Sequence, residues 1–268
     1  VLSPFFHETF APERRYLAAL LEYAALGRTG TLREIASDTG IPMGESSGKV
    51  APTLGYAQGM GLIAVEGDKG IRPILTDFGR CVFQEDPYLG EELTQWLVHF
   101  NLCRGDIGAP TWHYTFALGR LGKAFSKTQL EEHLISVLGL KQRIIGPMMV
   151  TYTDDAALGR AGVLRVEGDM IVRVKAPILQ SFARGYSAHV LTLLETYFLS
   201  ESQVTVTDFN EKTHWFDICL WTERELEAAL TMMGETGNIS IDRQMRPWII
   251  ERKSTAREAW LTVWEDLA

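Results

Sequence analysis

The sequence predicts a mainly helical α+β protein with short β-hairpins, opening with a winged helix. Three observations predict it. Apolar residues at helical spacing over residues 31–40 are followed by a second helical segment that closes at Gly59-Met60-Gly61. The period then changes: residues 62–65 read as a strand, 66–70 as turn chemistry and 71–75 as the returning strand. The same helix–helix–hairpin order recurs later, where Val166-Glu167-Gly168-Asp169 repeats Val65-Glu66-Gly67-Asp68.

The elements follow in order. A first helix starts near Pro12, with proline in the first turn and Glu13 at the positive end of the helix dipole. Thr31 stands at an N-cap with Glu34 three residues on, a capping box, and Leu32, Ile35 and Ala36 share the inner face. Gly40 and Pro42 end that helix. The next runs from about Ala51 to Gln58, with Pro52 in its first turn and Gly55 weakening it. After Asp86-Pro87 the chain turns helix-rich: Leu93, Trp96, Leu97 and Phe100 share a face, and the aromatic residues 110–122 suit a core. Helical segments 127–139 and 140–152 lead to a second hairpin near 163–175. Residues 178–199 predict one buried helix after Pro177. A capped amphipathic helix over 222–237, a strand at 239–241, its partner at 248–250 and a final helix over 255–267 complete the chain. The division predicted is a winged-helix DNA-binding domain (1–86), a helical domain with the second winged-helix-like hairpin (87–200) and a C-terminal winged-helix-like unit (201–268).

Composition narrows the function classes. With 46% hydrophobic and 22% charged residues, the chain of 268 residues reads as an ordinary globular protein. Its net charge of −8 repels DNA at long range, so phosphate contact has to come from local basic patches. Cys81, Cys103 and Cys219 form no C-x-x-C pair, which argues against zinc and a disulfide framework and for a reducing cytoplasm. No apolar run is long enough to span a membrane, and no signal peptide is expected.

Residues 44–50 imitate a phosphate loop without being one. The Walker pattern requires glycine where Met43 stands, serine or threonine where Val50 stands, and a preceding strand. The segment reads instead as a turn into the recognition helix, where Ser46 and Ser47 let backbone amides approach a phosphate and Lys49 adds charge. Lys69 and Arg72 add charge on the wing. A C-terminal basic run, with Arg243, Arg246, Arg252, Lys253 and Arg257 around Trp248, suits a phosphate-contacting wing; a charged strand edge is the alternative.

The histidines show no metal-ligand spacing; His99, His113, His133 and His189 fall in helical segments. Paired carboxylates can hold Mg²⁺ or Mn²⁺ for phosphodiester cleavage. Three sets qualify. His7 and Glu8 lie in an aromatic loop beside Arg14 and Arg15. Asp154-Asp155 follows a helix. Asp208 and Glu211, with His214, lie in a polar loop before Trp215. Glu8, Asp208 and Glu211 are the candidate metal ligands, and His7, Glu8, Asp154 and Asp155 the candidate catalytic groups.

His7-Glu8-Thr9-Phe10 followed by Arg14 and Tyr16-Leu17, the tryptophan-rich segments 96–102 and 111–116, and Leu140-Lys141-Gln142-Arg143 resemble a bacterial family of unknown-function proteins encoded in DNA-phosphorothioation defence loci. One branch is the DNA-nicking component of the single-stranded phosphorothioation system, and residues 46–50 and 59–63 are similar to that branch. The resemblance implies a cytoplasmic, metal-dependent nickase working with a cysteine desulfurase, a sulfur transferase-like subunit and an ATPase. Phe6 stands where many members have glycine, and the recognition helix lacks their extra basic residues; both argue against base-specific reading. Alongside the nickase stand a non-catalytic DNA-binding subunit or regulator and a protein-interaction scaffold. A homodimer is compatible with all three.

Overall fold

A capping box opens the first repeat of the fold. In the computed structural model, which describes residues 1–44, 48–67, 70–118, 120–140 and 145–266, Glu34 donates its amide to Thr31 Oγ1 at 3.3 Å. Thr31 in turn donates its amide to Glu34 Oε2 at 2.7 Å. Helix α1 (Arg14–Ala25) precedes this cap and α2 (Leu32–Thr39) grows from it. Then come α3 (Val50–Gly59) and the hairpin β1 (Ile63–Glu66) and β2 (Arg72–Leu75), with Ile63 opposite Leu75. A bridge between Gly30 and Ile71 adds a short third strand before the capping box. Helix α4 (Asp77–Glu85) follows, capped by Thr76.

The chain continues with α5 (Glu92–Leu102) and with α6 (Pro110–Trp112), which runs into a π-helical turn over His113–Ala117. Strand β3 (Ala124–Ser126), helices α7 (Lys127–Leu138) and α8 (Ile145–Thr153), and strands β4 (Leu164–Glu167) and β5 (Met170–Arg173) complete this part. Next come α9 (Ala183–Tyr197), β6 (Gln203–Thr205), α10 (Val206–Thr213), α11 (Trp215–Cys219) and α12 (Glu223–Gly234). Strands β7 (Ile239–Asp242) and β8 (Ile249–Arg252) and helix α13 (Ala256–Trp260) end the series. The protein is therefore α+β, with small antiparallel sheets ordered β1-β2, β3-β5-β4 and β6-β8-β7.

One module is used three times: a short strand, two principal helices, then a hairpin whose second strand pairs with that first strand. Each copy caps its first helix immediately after the strand, through Thr31, Ser126 or Thr205. Four residues past each cap stands a side chain with no exposed surface: Ile35, Leu130 and Phe209. Each copy also enters its hairpin through a left-handed glycine, Gly61, Gly162 or Gly237, at φ 71°, 59° and 79°. Glycine takes that conformation at no steric cost, whereas other residues adopt it with strain, so residue type favours the turn at the start of each hairpin.

Two compact units result, Val1–Val174 and Lys175–Ala268. The observed boundary differs from the divisions expected at 86 and 200. In the first unit α5 is buried all round, and its polar side chains bind other segments: Gln95 donates to Leu89 O at 2.9 Å and accepts the Ala161 amide at 2.9 Å, while Asn101 donates to Met60 O at 3.0 Å. These bonds tie the N-terminal and middle repeats together. In the second unit α9 packs against α10, α12 and α13, so it belongs with the C-terminal repeat. The expected helix over 178–199 is shorter, beginning as a 3₁₀ turn at Gln180–Phe182. The expected final helix stops at Trp260 and resumes as a 3₁₀ turn at Val263–Asp266.

Candidate functional site

Helix α3 stands where a recognition helix was expected, yet it offers almost nothing to a ligand. All its residues are buried except Ala51 and the half-buried Gln58. The cause is its small residues. A Cβ on Gly55 would lie 2.6 Å from Phe6 Cδ2, and one on Gly59 would lie 2.7 Å from Leu2 Cδ1 and 3.2 Å from Leu102 Cδ2. Glycine at both positions lets the N-terminal loop and α5 close over the helix. Its side chains therefore serve the core.

Beside its first turn lies a patch with different chemistry. Glu13 pairs with both Arg15, at 2.7 Å, and Lys49. Burial raises the Glu13 carboxyl, and the hydrogen bonds from Lys49 and Arg15 outweigh it and hold it low. Arg15 sits 4.5 Å from the Tyr16 ring centroid, and Lys49 5.3 Å from Tyr16 and 5.5 Å from Phe10. Two cations share one carboxylate, so a positive charge is left over on an aromatic surface, with Arg15 68% exposed. Sequence reasoning finds Lys49, and places Arg15 beside His7 and Glu8, but misses that Glu13 joins the two cations, because Glu13 reads simply as part of a helix start. Arg72 is exposed on β2 opposite Glu66. Ser46, Ser47 and Lys69, and the Lys141-Gln142-Arg143 part of the later motif, lie outside the described residues.

His7 and Glu8 do not converge. His7 is 1% exposed, and its ring packs edge-on against Phe6 and Trp112. Its Nδ1 bonds the Glu8 carbonyl oxygen at 2.9 Å, while Nε2 is buried without a partner. Burial lowers its pKa, with that carbonyl bond opposing. Glu8 is exposed, at a left-handed φ of 51°. This is a core histidine next to an outward carboxylate. Arg14 and Arg15 point to other partners, Arg15 to Glu13 and Arg14 to backbone carbonyls.

Asp154 and Asp155 sit in a richer setting. Both are exposed at the end of α8. Arg14 donates to Asp155 O at 2.6 Å and to Tyr88 O at 3.4 Å, and Arg160 donates to Gly90 O at 2.7 Å. The buried carboxylate of Asp86 caps the amides of Gly90 and Glu91 at 2.7 and 2.9 Å. Two guanidinium groups thus fasten the loops around this pair. Asp154 spends Oδ1 on the Ala156 amide at 2.9 Å, leaving its other oxygen and the Asp155 carboxylate. A hard divalent cation takes one or two carboxylates together with waters and substrate phosphates, and this pair fits that donor set.

The remaining candidates separate. Asp208 and Glu211 lie on α10 rather than in a loop, because Thr205 caps that helix and bonds Asp208 Oδ2 at 2.7 Å. Among the described residues no group of three or more His, Cys, Asp or Glu side chains is placed to share a metal ion. The C-terminal basic residues turn to protein partners. Arg246 bridges Glu223 and Glu227, Lys253 pairs with Glu251 at 2.7 Å, and Arg252 caps the end of α9 through Leu194 O, at 2.6 Å, and Phe198 O. Arg243 bonds Thr231 at 2.7 Å and lies 5.0 Å from the Trp248 ring. The run reads as basic in sequence; in space Arg246 and Lys253 are paired with carboxylates, while Arg243 and Arg252 bond neutral oxygens.

A buried polar network also escaped the sequence. Trp112 Nε1 donates to the Tyr152 hydroxyl at 2.8 Å, and that hydroxyl bonds His99 Nδ1 at 2.6 Å. Burial, with Arg173 adding, holds His99 well below its ordinary value, and burial raises Tyr152. The hydroxyl therefore donates to a neutral imidazole and accepts from the indole, tying α5, α6 and α8 together.

No curated protein matches the sequence. Residues 56–155 match a family described as "Protein of unknown function (DUF4007)". Two solved structures are similar, described as "Magnesium ion-bound SspB crystal structure" and "SspB crystal structure", with TM-scores of 0.71 and 0.70. Each is 15% identical, and the alignments cover 98% of this chain and 87% of the other. The chain accordingly has the fold of SspB.

Proposed function

We propose that this protein works on duplex DNA in a bacterial phosphorothioation system and nicks one strand. The observation that carries the reading is the likeness to SspB over 98% of the chain, one of those structures being magnesium ion-bound. The repeated strand–helix–helix–hairpin module supports it, since that order is the one expected of winged helices, which serve in DNA binding. In this reading the Phe10, Arg15, Tyr16 and Lys49 patch holds the phosphate backbone, with Arg72 on the wing; Ser46, Ser47 and Lys69 are proposed to extend it. Such contacts position DNA without reading its sequence.

Asp154 and Asp155 are the residues proposed to hold Mg²⁺ or Mn²⁺, which when bound supplies an activated water and stabilises the leaving oxygen. Arg14 and Arg160 keep the surrounding loops in place through their carbonyl bonds. The test is conversion of supercoiled plasmid to open circle. Purified protein with Mg²⁺ or Mn²⁺ produces open circle, and chelation stops it. Intact supercoiled plasmid under both metals, with DNA binding retained, turns the reading to the non-catalytic DNA-binding subunit.

A further inference from the structure

The third repeat contains a groove of about 430 Å³ between the start of α10, helix α12 and the segment entering β8. Leu226, Leu230, Pro247 and Trp248 provide its apolar lining, and Glu223, Glu227 and Arg246 its charged rim. Met245 stands nearby in sequence and is 79% exposed. The groove is a concave, mainly apolar recess with a few polar groups at its edge, the form small recognition sites take.

Its charge points to the occupant. Glu223, Glu225 and Glu227 crowd the first turns of α12, and acidic side chains outnumber basic ones in the unit Lys175–Ala268. Glu225 faces away, engaged with Lys175 at 2.5 Å and with Thr222. Glu223 and Glu227, one turn apart, both face the groove. They already hold a guanidinium: Arg246 bridges them and lies 5.5 Å from the Trp248 ring. Arg246 remains 63% exposed, so an incoming cation can share or take these carboxylates. The acidic excess of the unit favours a cationic over an anionic partner, and a cationic side chain next to an aliphatic one is matched at both ends.

We propose that this groove docks a partner-protein segment that presents an aliphatic side chain beside an arginine or lysine. The site is independent of the DNA-nicking reading.

The full chain is titrated with short fluorescent helix-forming peptides carrying leucines at i,i+4 flanked by arginines, while the Trp248 indole NMR signal is followed. The Leu/Arg peptide binds, shifts that signal and competes with its unlabelled form. A Leu/Glu peptide does not bind. Leu226→Asp weakens binding tenfold or more, as expected for a central contact. The surface pair Glu223→Lys and Glu227→Lys, one exposed and one half-buried, does the same without entering the core, so a folding defect in Leu226→Asp leaves the test intact. Equal binding of the Leu/Glu peptide, or binding unchanged in the Glu223→Lys, Glu227→Lys protein, overturns the proposal. Self-association abolished by those two substitutions overturns it in favour of a second copy of the chain. A Trp248 shift on adding duplex DNA, with none on adding the Leu/Arg peptide, overturns it in favour of nucleic acid.

Discussion

Phe6 lies where a side chain on Gly55 would have to go: its Cδ2 stands 2.6 Å from the position of a Cβ there. Phe6 cannot swing away freely, since its ring meets Tyr56 at 4.8 Å and Trp112 at 6.2 Å between centroids. In an exposed helix interior Gly→Ala gains about 1 kcal/mol. Here overpacking costs about 1–3 kcal/mol. Gly55→Ala is therefore expected to lower stability by about 1 kcal/mol in urea denaturation, and a Phe6→Ala background to reverse the sign. A more stable single mutant contradicts this.

The same pair shows why some of the structure was legible and some was not. Local signals were read directly: the Thr31–Glu34 capping box, the hairpin 63–75, the helix at Glu92 and the second hairpin with its Val166-Glu167-Gly168-Asp169 turn. Gly55 reads as a weak point in a helix, because its partner Phe6 is remote in sequence. Asp208 reads as a loop residue in the sequence, because Thr205 does not stand out there as its cap. The basic run from Arg243 reads as a phosphate surface or a charged strand edge, because Glu223 and Glu227, which pair with Arg246, lie on another helix. His7 and Glu8 are neighbours in the chain, and one is buried while the other is exposed. Spacing encodes local elements; neutralisation and burial depend on contacts that only the folded chain brings together.

Tyr152→Phe tests the buried network. The change leaves the Trp112 indole and the His99 imidazole without their shared hydroxyl. A buried polar group left unpaired costs about 1–3 kcal/mol. A loss of about 2–4 kcal/mol is expected by chemical denaturation. A loss under about 0.5 kcal/mol contradicts the network's role, since neutral surface changes already reach that size.

Stability is expected to fall with acid in the histidine range. Burial lowers the pKa of His99 strongly and of His7 as well. The unfolded chain takes up these protons near pH 6.5 while the folded chain resists them. The stabilisation is complete above that pH and is lost as pH drops below it toward the folded values. Each such proton changes stability by up to about 1.4 kcal/mol per pH unit. Denaturation midpoints compared at about pH 7.5 and 5.5 check this. Equal stability at the two contradicts the burial of neutral imidazoles.

DNA affinity is expected to be salt-sensitive and to depend on the N-terminal patch. Lys49→Ala removes one proposed phosphate contact and reduces the magnitude of the log–log salt slope by about 0.9 on duplex DNA. Arg246→Ala leaves the slope unchanged, because Glu223 and Glu227 already neutralise that side chain. Fluorescence anisotropy over a salt series distinguishes them, and the opposite pattern moves the interface to the third repeat.

The most direct measurement is plasmid nicking by Asp155→Asn protein beside the wild type, in Mg²⁺ or Mn²⁺, with melting temperatures taken on the same preparations. Asp155 is exposed and its backbone carbonyl, not its carboxylate, anchors Arg14, so folding is expected to be unchanged. The account predicts open circle from the wild type, loss of nicking in Asp155→Asn, and equal melting temperature and DNA affinity in both. Wild-type rates of open-circle formation in Asp155→Asn contradict the proposed site. No open circle from the wild type with either metal contradicts the nicking itself.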